Sequence, residues 1–404
     1  MIFKSLYIKS IFTFLLCLLI FKAQAQQSNT FYKVDSTETK EFIQFVFNDL
    51  SFIKNNEYFN LIADGYTLFG NKLEGAFYYQ KANKYSVGLG IVALKYYGMD
   101  RFIKIIPSIS LQYKQGNNRF YFGRLNTKNN HYLPKPIYSF ERRLDTRSVE
   151  NGIQHTYRSK HWITDTWLEW EHFIQKEDAQ RERLNFGQTT TFSLPFKNGN
   201  ISIPLSVLLM HRGGQINQHA PTTDLANAIV FTNACTGLIV DKYINNKVIS
   251  ISYQYLLHAV NAENTEEWFY KNGYAHWLQI ELKTKRWQFN LAYWKAHQFV
   301  GIKGDDMYQS VSQRIEKYID AQGNPTPIFG QYTEPDRELL TASVSYAYRL
   351  DKHLNFRFVI DGFYQLNKGE IYHPRYSVKL QNHFDYALGL YVNYTFKQRV
   401  LKLK

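Results

Sequence analysis

The side chains best placed to act on a solute are ten charges spread along alternating segments. Glu74, Asp165, Glu169, Glu171, Glu281 and Asp361 carry one sign, and Lys104, Lys114, Arg349 and Arg357 the other. Each sits where polar and apolar residues alternate, so a period of two directs all of them to one common face. The chemistry open to such a set is electrostatic. Opposed charges around a watery passage hold a transverse field that favours polar solutes. Ordinary wet wall positions would carry the same residues, because lumen-facing positions are polar by default. A second candidate is His211-Arg212-Gly213-Gly214, where an apolar segment ends in a glycine pair beside Arg and His. It is read as a mouth loop that folds inward, although a solvated turn with glycine at positive φ explains the same residues.

Covalent chemistry has less support. Twelve histidines are scattered through the chain, among them His155, His172, His258, His276 and His297. None lies beside a serine in a nucleophile motif, and His-Glu-x-x-His, Gly-x-Ser-x-Gly and cysteine clusters do not occur. The expectation is therefore no enzymatic activity, no catalytic residue, no metal site and no cofactor. A lipid hydrolase with Ser and His on its outer wall is the less favoured alternative.

The elements that must position these residues are β-strands. In Tyr386 to Phe396 the even positions are Tyr, Leu, Leu, Val, Tyr and Phe, and the odd ones Ala, Gly, Tyr, Asn and Thr. Aromatics at both ends of an aliphatic row fit a strand that crosses a bilayer between two interfacial girdles. The alternation recurs in Ile103 to Lys114, Ile201 to Leu209, Ile249 to His258, Trp287 to Tyr293 and Leu354 to Ile360. Sixteen such segments are expected, beginning with 57–69 and 72–82 and ending with 381–397; fourteen or eighteen are also compatible. Every second connection is turn-sized, such as Gln115-Gly116-Asn117, Lys197-Asn198-Gly199 and Asn245-Asn246. The long ones, near 127–149, 212–225, 261–272, 301–336 and 369–380, all fall on the opposite rim. The expected fold is all-β: a closed transmembrane antiparallel up-and-down barrel with short periplasmic turns and long extracellular loops. The 301–336 loop is expected to narrow the passage or bind a partner.

Residues 1–25 combine Lys4 and Lys9, the apolar run Ile11 to Phe21 and Ala23-Gln24-Ala25, the pattern of a secretory signal peptide cleaved near Ala25. Cys17 leaves with it, so Cys235 alone remains and no internal disulfide can form. Residues 26–56 read as a periplasmic or plugging segment, 57–397 as the barrel and 398–404 as a basic C-terminal tail. Loss of Lys4, Lys9 and Lys22 lowers the formal charge from +14 to +11. Basic rims of this kind pair with lipopolysaccharide phosphates or anionic headgroups, and location disfavours nucleic acid.

With its leader, alternating strands, aromatic girdles and a last strand reaching Phe396, the chain resembles the porin-type outer-membrane barrels of Gram-negative bacteria. Asn55-Asn56-Glu57-Tyr58-Phe59 with Gly65-Tyr66-Thr67-Leu68-Phe69-Gly70 is similar to the opening strand of uncharacterised barrels in that group. The resemblance implies location in the outer membrane, contact with its lipid and lipopolysaccharide, and passive diffusion of small polar solutes. A structural or receptor barrel that docks a partner in a surface assembly or export system is the alternative.

Overall fold

The computed structural model describes residues 41–175, 182–213, 229–262, 270–312, 316–319, 325–328, 332–367, 369–373, 376–379 and 382–403. Twenty strands follow in chain order: β1 Phe42–Glu57, β2 Tyr66–Lys81, β3 Tyr85–Tyr96, β4 Lys104–Gln115, β5 Asn118–Arg124, β6 Asn151–Arg158, β7 Trp162–His172, β8 Glu182–Phe196, β9 Gly199–Gly213, β10 Ile229–Ile244, β11 Lys247–Ala262, β12 Asn272–Lys283, β13 Trp287–His297, β14 Glu316–Ile319, β15 Pro325–Ile328, β16 Asp336–Arg349, β17 Leu354–Gln365, β18 Glu370–His373, β19 Tyr376–Lys379 and β20 Phe384–Lys402. Sixteen of them close into one antiparallel barrel in the order β1 to β13, β16, β17, β20. The hairpins β14–β15 and β18–β19 stand on the loops.

Alternation builds the wall. Along β3 the odd positions Val87, Leu89 and Ile91 are exposed on the lipid side, while Ser86 is buried on the inner face. Such a strand is stable only between lipid and a wet or packed interior, and closure leaves no edge unpaired. The seam is made by β1 and β20, paired from Phe42 opposite Lys402 to Glu57 opposite Tyr386 with one shift of register between Ile43 and Gln44. At the periplasmic turns Asn198, Asn245 and Gly116 have φ of 58°, 51° and 56°, the left-handed conformation that tight hairpins require.

Three boundaries differ from expectation. Phe42–Glu57 is the first wall strand rather than part of a periplasmic segment, because its apolar row pairs on both sides, with β2 and β20. The expected strands 57–69 and 72–82 are in turn a connection followed by the single strand β2, which continues straight through Gly70-Asn71. One strand gained offsets one lost, so the even count stands. The basic residues after Phe396 are the end of β20 rather than a separate tail, since β1 begins early enough to pair with them.

The extracellular half of the barrel is filled. Residues from the connection between β5 and β6 and from the stretch after β13 fold inward, where Leu133, Ile137, Tyr138, Phe299, Met307 and Tyr308 join inward wall residues Trp167, Trp277, Trp294, Leu339 and Phe363 in one hydrophobic cluster. Backbone bonds knit the two segments together: Ser139 N donates to Lys303 O at 2.7 Å and Asp305 N to Lys135 O at 3.2 Å. The part of the 301–336 loop nearest β13 is thus a buried plug. A soluble-type core inside a membrane barrel gives these loops the packing that a free surface loop lacks.

Candidate functional site

Two groups of polar side chains stand out, one inside the plugged lumen and one on the lipid-facing wall. The inner group centres on His131, held in a run of three non-glycine residues at positive φ: Asn130 at 50°, His131 at 53° and Tyr132 at 60°. Such a run is unfavourable for L-residues and persists because its side chains are tied down. His131 Nδ1 lies 2.9 Å from Asp165 and Nε2 3.0 Å from Glu150. Arg143 Nη2 binds the carbonyls of Thr127 and Lys128 and the side chain of Asn130. Burial alone would lower the His131 pKa, but the two carboxylates outweigh it and lift it to about 9. Lys303 joins the network, 2.9 Å from Glu150 and in direct contact with Glu169. Burial resists ionisation of Glu150, yet Lys303 and His131 hold it well below the usual carboxylate range. Fully buried and paired, this network is a latch for the plug.

The expected pore-lining charges divide accordingly. Asp165, Glu169 and Glu171 on β7 meet the plug cations His131, Lys303 and Arg142. Asp361 faces Lys54 at 3.8 Å and Lys135 at 4.0 Å. Glu74 is buried against Arg124 at 2.8 Å and Lys72 at 3.5 Å. Glu281 pairs with Lys283, Arg349 is exposed by the Asp351-Lys352 turn, and Lys104 reaches the carbonyl of Thr146. Lys114 and Arg357 line separate chambers beneath the plug. Most of these charges face a neighbour rather than an open passage. His211, Arg212 and Gly213 are the last residues of β9, paired with β8, and so are wall rather than mouth loop; Gly214 lies outside the described residues.

The outer group occupies the extracellular ends of β1 and β2. Asn55 and Glu57 alternate outward on β1, and Thr67, opposite Asn55, faces outward on β2. Thr67 Oγ1 donates to Asn55 Oδ1 at 2.7 Å, and Asn55 Nδ2 donates to Glu57 Oε1 at 2.8 Å. Lower on the same face, Asn71 Nδ2 bonds Ser51 Oγ at 2.5 Å and Asp49 Oδ1 at 3.2 Å. Apolar Ile53 and Phe69 lie between the two groups, and Leu388 and Leu390 of β20 run alongside, all exposed. Polar residues on a lipid face are unfavourable unless they serve a function.

Just across the wall from this ladder, a pocket inside the rim is lined by Asn56, Tyr66, Ser139, Glu141, Arg147 and Asp306. Burial, with Asp305 and Glu141 adding to it, pushes the Asp306 carboxyl up to about 7. Adjacent residues of the same two strands thus face the lipid side and the rim pocket. An expected strand over 57–69 separates Asn55 from Thr67, whereas the observed β1 and β2 place them opposite one another. The ladder's trace is the break in apolar alternation at Asn55 and Glu57.

A family model described as Lipid A 3'-O-deacylase-type matches residues 34–403. Among solved structures, OmpT of Vibrio cholerae lacking loop L8 is similar at 10% identity and a TM-score of 0.48, covering 88% of this chain and 100% of that one. OccK8 (OprE) of Pseudomonas aeruginosa is similar at 12% identity and a TM-score of 0.48, covering 88% and 98%. An anion-selective porin from Comamonas acidovorans is similar at 8% identity and 0.48, covering 88% and 100%. No curated protein matches the chain. The family match overturns two expectations, that the chain is a passive channel for small polar solutes and that it is not an enzyme. Both rested on reading function from the lumen and on looking for contiguous motifs, whereas residues on adjacent strands meet across the sheet without forming one.

Proposed function

This chain belongs to the lipid A 3'-O-deacylase-type family, and from that premise we propose that it is an outer-membrane hydrolase, exported by a signal peptide cleaved near Ala25, that removes an ester-linked acyl chain from a lipid A-type glycolipid. The observation that carries this reading is the Thr67–Asn55–Glu57 ladder, a hydrogen-bonded polar group on the lipid-facing wall at the extracellular rim. An outer-leaflet glycolipid presents its acyl esters at that height. Its chains lie along exposed Ile53, Phe69, Leu388 and Leu390, and its sugar leans over the rim toward the pocket of Ser139, Glu141 and Arg147.

The roles follow from the donor and acceptor inventory. Glu57 is the ladder's carboxylate and its general base: it takes a proton from water as the water oxygen attacks the ester carbonyl, then returns that proton to the departing sugar oxygen. The Asn55 amide, which has a second N–H beyond the one given to Glu57, is the donor that meets the oxyanion of the tetrahedral intermediate, and the Thr67 hydroxyl, whose proton goes to Asn55 Oδ1, holds that amide in place. A neutral amide cannot accept the Thr67 proton, so attack by water is favoured over attack by Thr67 itself. Acyl release is measured by mass spectrometry of lipid A after incubation of the purified barrel with outer-membrane lipid. Full activity in Glu57→Gln would remove the ladder from the mechanism.

A further inference from the structure

A chamber of about 400 Å³ opens beneath the plug at the periplasmic ends of β4 to β7. Its floor is the turn at Gly116-Asn117, and its roof is the underside of the plug at Asn126, Lys128, Asn129 and Tyr132. Three cations stand side by side on adjacent strands of its wall: Lys114 on β4, Arg119 on β5 and Arg158 on β6. Lys114 and Arg119 are direct cross-strand partners, and Arg119 is opposite Thr156, two residues from Arg158. Like charges opposite one another destabilise a sheet, and among the described residues Lys114 and Arg119 have no carboxylate partner. Among the described residues the Arg158 guanidinium bonds the neutral hydroxyl of Tyr132, at 2.6 Å. The acidic residue of the lining, Asp165, is committed to His131 at 2.9 Å and to Gln154 at 2.7 Å.

We propose that this chamber is a periplasm-facing binding site for a phosphate dianion, free or carried as the monoester of a small sugar. Guanidinium groups match phosphate oxygens two at a time, and an ammonium adds a point charge. The amides of Asn117 and Asn129 supply further donors, and the Tyr132 ring on the plug offers a flat face to an attached ring. The dianion turns the Lys114–Arg119 repulsion into a shared attraction, which explains why the wall keeps both cations. The site faces the periplasm rather than the lipid-side ladder and does not rest on the deacylation reading.

The test is isothermal titration of the full barrel in detergent with inorganic phosphate and with glucose 6-phosphate, using glucose as the uncharged control. Saturable binding of both phosphates and none of glucose is expected, with Lys114→Gln/Arg119→Gln weakening it at least tenfold and Lys247→Gln leaving it unchanged. Binding of inorganic phosphate alone, with glucose 6-phosphate excluded, would limit the site to the free anion. Thermal melting guards against misfolding as the cause: phosphate raises the midpoint of the wild type, and the ligand-free double variant melts no lower than the ligand-free wild type. Unchanged affinity in a folded double variant, or no saturable binding in the wild type, would overturn the proposal.

Discussion

The His131 imidazole lies face to face on the Trp167 indole, with ring centroids 3.9 Å apart and planes 13° from parallel. A cationic imidazole over the best of the aromatic faces is a cation–π contact in a desolvated site, and it joins the plug to β7 from within the run of positive φ. Gly187 on β8 makes the stack possible: a Cβ there would stand 2.0 Å from Trp167 Cζ2. Gly187→Ala is therefore expected to push the indole off His131 and lower unfolding stability by roughly 1–3 kcal/mol, as overpacking does. Denaturant titration in detergent, followed by Trp fluorescence, checks the value.

The same histidine makes the plug sensitive to pH. Asp165, Glu150 and Tyr138 face His131, and Lys303 stands behind Glu150. A folded pKa of about 9 against an ordinary 6.5 means that His131 contributes its full stabilisation below pH 6.5 and loses it as pH rises through 9. Protease nicking of the segment between β5 and β6 should accelerate over that window in the wild type. It should be flat across the same window in His131→Gln, whose segment is already loose at neutral pH.

Lys303 contacts both Glu150 and Glu169. Lys303→Met leaves two buried carboxylates facing each other without their shared cation, a loss of about 3–5 kcal/mol. Replacing all three by Met, Gln and Gln should recover much of it, because the uncompensated charge goes with the lysine. Recovery in the triple variant, measured by chemical unfolding, separates charge from shape.

On the outer wall, Glu57→Gln should cut acyl release by about 10²–10⁴ while leaving the barrel folded, the range expected for loss of a general base. Thr67→Val removes the hydrogen bond that holds the Asn55 amide toward the oxyanion and should cost up to about 10²–10³ in kcat with little change in KM. An equal loss in KM with kcat intact would assign Thr67 to lipid binding instead.

Much of the fold was legible because each strand records its own two faces. Tyr386 to Phe396 needs no partner to show which side meets lipid, and turn residues such as Asn198 and Asn245 mark one rim by their preference for positive φ. The first strand is not legible for a local reason: Phe42 to Phe47 is apolar at nearly every position, so its period is ambiguous until β2 and β20 settle it. His131 carried no signal at all. Neither its neighbours nor its spacing differ from those of a surface turn, and glycine, the usual marker of a left-handed backbone, is missing there.

The amino-acid sequence by itself determined a wall of two-faced strands, an even count and a rim of long loops, since alternation and turn chemistry are properties of residues a few positions apart. Only the tertiary structure decided that the extracellular half of the lumen is packed rather than open, and that Asp165, Glu169, Glu171 and Asp361, expected to face other charges across water, are instead paired with the plug. Lys303 and Glu150 are 153 positions apart, and Asn55 meets Thr67 across a sheet whose register is set by closure of the whole cylinder. Contacts of that kind depend on where the chain returns in space, and no local pattern encodes them.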